Sequence, residues 1–294
     1  MATAVTRLPD QQIAPHLAAY DREQAAKRRA TLFGLAILLV LILVASHVAE
    51  VDPAKFAGNI HQLTSYIGRI FYLDNGQFVL TDPSEWFWGW KKWLIHIGDT
   101  LLIAYLGTLL GAVTAFMVCF AASSNLSRNS TSRFVARRIL EFCRTVPELV
   151  FALIFVVAFG LGPMPGVLAI AIHTFGALGK LFSEVVENID MKPVDGAIAT
   201  GASRWQVIRY AAVPQVLSNF ASYSLLRFEI NVRGASVMGF VGAGGIGQEL
   251  IEAVRKFYYS DVSAILLMII GTVMVIDLVT ERIRHRLIAG EHRR

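Results

Sequence analysis

Charge is scarce in this sequence: 17% of its 294 residues are Asp, Glu, Lys or Arg, against about 25% in ordinary soluble domains. Cysteine is scarcer still. Cys119 and Cys143 are the only two, both in or beside apolar segments, so neither a disulfide framework nor a cysteine-rich zinc site is on offer. Signatures of chemistry are missing too. The seven histidines are scattered, and neither H-E-x-x-H nor G-x-S-x-G occurs. Gly176-Ala177-Leu178-Gly179-Lys180-Leu181 comes nearest to a phosphate-binding Walker A loop, but its glycines are too close and it ends on leucine. The chain is therefore expected to have no catalytic residue, no metal site and no cofactor of its own, and any ATP energy must come from a separate chain.

Apolar residues are what the sequence has in quantity, 55% of the total. Apolar runs at Thr31–Val48, Leu101–Ala122 and Val262–Thr280 are each about as long as a bilayer span needs. Weaker runs at Leu149–Leu161, Gly166–Phe182 and near Val213–Phe240 bring the expectation to about six transmembrane helices in an all-α integral membrane protein. The net charge of +5 and the pI near 9.3 invite a nucleic-acid reading. Distribution argues against it. With six spans and an inner N-terminus, eighteen Lys and Arg fall inside, six outside and three within spans, as the positive-inside rule requires. Both termini are then cytosolic. About thirty polar residues precede the first span, a lead too long for a cleaved signal peptide, so that span reads as an anchor.

The expected organisation is a cytosolic arm over 1–30, then a first span and outer segment over 31–93. A transmembrane core follows over 94–285, with a cytosolic loop at about 184–213, and a basic tail over 286–294. The outer segment ends in Trp86-Phe87-Trp88-Gly89-Trp90-Lys91-Lys92-Trp93. Interleaved tryptophan and lysine suit contact with lipid headgroups.

Charged residues in the weaker spans form i, i+4 pairs: Arg144 with Glu148, Lys180 with Glu184, Glu229 with Arg233. Arg227 is the least obviously paired, with Asn231 one turn along. Arg227, Asn231 and Arg233 are candidates for lining a polar pathway, which an anionic cargo would suit, although helix packing explains them equally well. Pro147 predicts a kink. Gly242-Ala243-Gly244-Gly245-Ile246-Gly247 satisfies G-x-G-x-x-G, yet it follows an apolar helical run rather than a strand. Gly242, Gly244, Gly245 and Gly247 instead let the backbone turn sharply at membrane depth, where irregular backbone must be buried or line a cavity. They are gate candidates.

The segment Asp195-Gly196-Ala197, then Gly201, then Pro214 is charged and punctuated by glycine, and it lies between two apolar runs. It is poor material for a span and good material for a helical hook that grips another protein. Its spacing resembles the coupling loop of ABC importer permeases. Asp195 stands at that motif's glutamate, Gly196 and Ala197 at its two alanines, Gly201 at its glycine and Pro214 at its closing proline. With Thr100–Ala115, Pro147-Glu148-Leu149, Gly179–Phe182, Arg209–Gln215, Ser222–Arg233 and Val241–Gly247, the chain over about 95–285 is similar to the permeases of phosphonate ABC importers. The resemblance implies a type I fold with a methionine-permease-like core in a bacterial inner membrane. It also implies a second permease copy, two ABC ATPases that carry the ATP and Mg, and an extracytoplasmic phosphonate-type binding protein. Other readings stand beside it, the nearest being a permease of the same kind for a different small ligand. A self-sufficient secondary transporter would use the span charges and leave the hook without a task. A membrane enzyme would need a catalytic cluster that the sequence does not contain.

Overall fold

The computed structural model describes residues 10–73, 75–127 and 129–291. Arg128 and the ends of the expected arm and tail, residues 1–9 and 292–294, lie outside the described residues. Two units divide the chain, the first ending at Tyr66. In it, helix α1 (Asp10–Val48) runs without a break from the expected arm through the first apolar run. Helix α2 (Pro53–Ile70) follows and extends past the division.

The second unit is a helix bundle. A short hairpin pairs Tyr72 with Phe78, and α3 (Pro83–Trp86) starts on Asp82, whose carboxylate accepts from the backbone of Ser84 and Glu85. The tryptophan-rich segment divides here. Trp88 and Trp90 are exposed, as a headgroup-facing stretch requires, but Trp86 and Trp93 are buried. They pack with Leu73, Val79, Ile97, Leu250 and Ile265, and the Trp86 indole N–H donates to Ser263 Oγ at 2.9 Å. Half of the expected belt is therefore core.

Helix α4 (Trp90–Ala122) and helix α7 (Pro163–Glu187) form the central seam. Glycine makes the approach possible: a Cβ on Gly107 would lie 2.6 Å from Ile170 Cγ2, and one on Gly111 would lie 2.7 Å from Thr174 Cβ. Small residues that let backbones close up are the usual means of helix association in a membrane, where no hydrophobic difference drives it. Between them come α5 (Ser130–Thr145) and α6 (Glu148–Phe159), bent by 85° at Val146-Pro147. Proline removes one backbone donor and its ring displaces the preceding turn. The kink expected at Pro147 is thus a sharp break. It ends the helix that was expected to hold Arg144 and Glu148 in one i, i+4 pair. Arg144 instead lies 3.8 Å from Glu141, and Glu148 opens a new helix that points elsewhere.

Helix α8 (Lys192–Ala199) and the single turn α9 (Arg204–Val207) form the loop after α7. A π-helical turn at Ile208–Ala212 leads into α10 (Val213–Met238). The wide turn has a cause: Pro214 has no N–H to donate back to Tyr210, and the π register opens space for its ring. Helix α11 (Ile246–Arg255) and the long α12 (Tyr259–Glu291) complete the chain. By length and apolar composition, four described helices can cross a membrane, and the bent pair α5–α6 makes a fifth. The sixth expected span, α10, has 26 residues, about 39 Å at 1.5 Å per residue. It is long enough but not apolar enough to count with those five; it carries Arg227, Glu229 and Arg233, and neighbouring helices face all three.

Candidate functional site: a helical hook, a glycine loop and a mid-bundle ion cluster

The hook is rigid by construction. Val194 on α8 is fully buried with Val207 and Ala211, and Leu126, Ile189, Met191, Ala197 and Ala202 close around them. The Gln215 side chain clamps the entry, accepting from the Asp190 N–H at 3.0 Å and donating to its carbonyl at 3.2 Å. Helix α8 ends as a Schellman motif. The Gly201 N–H donates to Ile198 O and the Ala202 N–H to Ala197 O, with Gly201 left-handed at φ +77°, where glycine is favoured. Ser203 and Gln206 form a capping box on α9, and Arg204 donates to Leu126 O at 3.0 Å.

What this frame presents outward is Asp195, Gly196, Ile198, Trp205 and Tyr210; the last three are 58%, 68% and 69% exposed. Asp195 lies near the N-terminal end of α8, where its charge suits the helix dipole. Of the five residues singled out in the coupling motif, Asp195 and Gly196 face out, Ala197 packs inward, Gly201 shapes the exit, and Pro214 lies beyond the π turn. Nothing lies within 4 Å of where a Cβ on Gly196 would sit, so the chain's own packing does not explain that glycine.

The glycine loop runs from a 3-10 turn at Gly239–Val241 into α11. Gly242, Gly244 and Gly245 have φ of +82°, +86° and +80°. Gly242 O accepts from the Gly162 N–H at 3.0 Å, and Thr100 Oγ1 accepts from the Ile246 N–H at 2.8 Å. A Cβ on Gly247 would strike Ser236 O, and one on Gly245 would lie 2.6 Å from Thr100 Oγ1. Gly244, Gly245 and Gly247 are buried against α4, α7 and α10, while Gly242 is half-buried beside Leu161. The Walker-like stretch is no loop at all. It lies inside α7, with Gly176 against the α5 backbone and Gly179 against Leu140.

The third feature lies about half-way along α7 and α10. Asn231 is fully buried and donates to Thr108 and Thr174 hydroxyls, both at 2.8 Å, which joins α10 to α4 and α7. One turn earlier Arg227 donates to His173 Nδ1, and its Nε reaches Thr174 Oγ1 at 3.5 Å. Glu148 Oε2 stands 3.7 Å from His173 Nδ1 and 3.9 Å from Arg227 Nη2. Arg233 does not join this group. It pairs with Glu229 as expected and also with Asp277 on α12 at 3.3 Å. Lys180 and Glu184 pair at 2.9 Å, again as expected. The sequence reading missed the involvement of Glu148, His173, Thr108 and Thr174. His173 and the threonines carry no local signal, and the bend at Pro147 redirects Glu148.

Toward the hook end, a cavity of about 500 Å³ is lined by Leu181, Glu184, Asn188, Gln215, Asn219 and Tyr223, among others. Gln215, Asn219, Tyr223 and Arg227 follow one i, i+4 ridge of α10; Asn188, Glu184, Lys180, Ala177 and His173 follow a matching course on α7. A polar course thus climbs from the cavity to the ion cluster.

The chain matches the family described as "Binding-protein-dependent transport system inner membrane component" over residues 107–290. It is 41% identical to the "Phosphite transport system permease protein PtxC" of Stutzerimonas stutzeri across 81% of this chain and 82% of that one. The "Putative phosphite transport system permease protein HtxC" of the same organism is 33% identical across 94% of both. The "Phosphate-import permease protein PhnE" of Mycolicibacterium smegmatis is 38% identical over 65% of this chain and 36% of its own length. In fold the chain is similar to an inward-facing MetNI methionine ABC transporter, with TM-score 0.57 and 16% identity over 66% of this chain and 95% of that one. A bacterial alginate ABC transporter aligns with TM-score 0.55 and 16% identity over 81% of this chain and 94% of its own.

Proposed function

The chain belongs to the family of binding-protein-dependent transport system inner membrane components, and from that premise we propose that it is the pathway-forming permease of an ATP-driven importer for phosphite, phosphonate or a related phosphorus oxyanion. The hook is the observation that carries the reading. Its inner face is fully used by the chain's own packing, and its outer face, Asp195, Gly196 and Ile198 with Trp205, is shaped for another protein. Relatives named for phosphite and phosphate transport support the cargo class.

The assembly consists of two permease copies, two ATPases that hold ATP and Mg, and an extracytoplasmic binding protein that delivers the ligand. Both termini face the cytosol in this arrangement, so the hook and the 500 Å³ cavity lie on the ATPase side. Asp195, Gly196, Ala197, Gly201 and Pro214 form the coupling element. Arg227 and Asn231 belong to the pathway, Arg233 flanks it, and the Gly242–Gly247 loop closes its outer end. ATP binding must favour one conformation of the permease pair over another, and the hook transmits that bias.

Uptake by proteoliposomes that hold this chain with its ATPase and binding protein tests the reading. Phosphite, methylphosphonate or phosphate should accumulate only with ATP inside and binding protein outside, and sulfate should not. Uptake by this chain alone, driven by a proton or sodium gradient, would contradict it.

A further inference from the structure

Glu148 occupies a place that its own chain does not complete. Its side chain is 23% exposed, and those of Arg227 and His173 are 13% and 19% exposed. Oε2 is buried without a hydrogen-bond partner; it lies 3.9 Å from Arg227 Nη2, beyond hydrogen-bonding reach, and 3.7 Å from His173 Nδ1, which accepts from that guanidinium. Arg227 is likewise underused. Nε and Nη2 reach Thr174 and His173, and Nη1 has no protein partner among the described residues. A guanidinium offers five donors in a fork that matches an oxyanion. The carboxylate is seated by an absence: a Cβ on Gly234 of α10 would strike Glu148 Oε1. Gly234 therefore leaves the notch that lets Glu148, at the start of α6, reach across to α10.

We propose that Arg227, held in place by its bond to His173 Nδ1, is an oxyanion contact of the pathway and that Glu148 is its resident anion, which cargo displaces. With the site empty, the carboxylate holds α6 to α7 and α10 through a loose ion pair. A phosphorus oxyanion arriving along the polar course has more acceptor oxygens and up to two negative charges. It takes over the guanidinium, Glu148 is released, and α6 separates from α10 about the break at Val146-Pro147. Cargo arrival thereby becomes a change in helix contacts. The inference rests on the importer reading and gives that importer's cargo class a named contact.

The assembled complex tests it through ATP hydrolysis with and without binding protein loaded with phosphite, methylphosphonate or phosphate. Glu148→Gln is expected to raise cargo-free hydrolysis about fivefold and bring the stimulation by cargo toward one, the scale on which losing one ion pair shifts a two-state balance. Gly234→Ala should do the same. It removes no charge and favours the helix, yet its methyl takes the place of Glu148 Oε1 and forces the carboxylate off its present seat, and it decides the matter if Glu148→Gln fails to assemble. Arg227→Gln should abolish stimulation. Wild-type cargo-free rates in Gly234→Ala, with stimulation intact, would overturn the inference. A wild-type complex stimulated by no phosphorus oxyanion would instead overturn the importer reading.

Discussion

Gly196→Leu is expected to stop ATP-driven uptake while leaving the chain folded and in the membrane at its normal level. The two halves of this result have separate causes. Inside the chain the substitution is harmless or better, because no atom lies within 4 Å of the added Cβ and leucine favours a helix over glycine by roughly 0.5–0.8 kcal/mol. At a docked surface the same side chain is excess volume, and overpacking costs about 1–3 kcal/mol, roughly a five- to 150-fold loss of a two-protein contact. Gly201→Leu is a weaker instrument for the same question, since its φ of +77° strains any L-residue by about 1–2 kcal/mol. Thermal unfolding of purified Gly196→Leu should match wild type, with uptake at background. Wild-type uptake by this variant would remove the hook from the coupling role.

Gly176→Leu should have the opposite profile, losing the fold rather than the partner. A Cβ there would lie 2.5 Å from Arg144 N, 2.7 Å from Leu140 O and 2.9 Å from Cys143 C. These are α5 backbone atoms, and a helix backbone cannot step aside as a flexible side chain can. The cost is about 3 kcal/mol or more, a large fraction of the marginal stability of a typical domain. In detergent the variant should aggregate or unfold well below wild type on size-exclusion and thermal-shift measurements. A monodisperse variant of unchanged stability would mean that α5 does not cross α7 at Gly176.

These two glycines also mark what sequence can and cannot disclose. The hook was legible because its signals are local: Asp195 near a helix start, a C-capping glycine at 201, a proline at 214. The spans were legible as apolar runs for the most part: four expected runs lie in helices long and apolar enough to cross a membrane and a fifth lies in the bent pair, while α10 falls short of that composition. The ion cluster was not, because it depends on an 85° bend that no pattern of hydropathy encodes. A continuous helix would pair Arg144 with Glu148; the break at Val146-Pro147 parts them and sends Glu148 toward Arg227 and His173. Nor could the four tryptophans be sorted. Trp86 and Trp93 are core because the hairpin around Gly76 and the α11–α12 corner close over them, and the corner lies more than 150 residues further along the chain. The Walker-like and dinucleotide-like glycines illustrate the same point. Their sequence context already argued against phosphate loops, but only packing shows what the glycines do instead: close helix contacts in α7 and a tight turn before α11.

The permease role depends on a separate ATPase gripping the hook. Purification of this chain from its native membrane in mild detergent, followed by identification of bound proteins, tests that most directly. The expected result is a Walker-motif ATPase in equal number with the permease, present with wild type and absent with Gly196→Leu. A chain that purifies alone and still takes up cargo when reconstituted alone would contradict it.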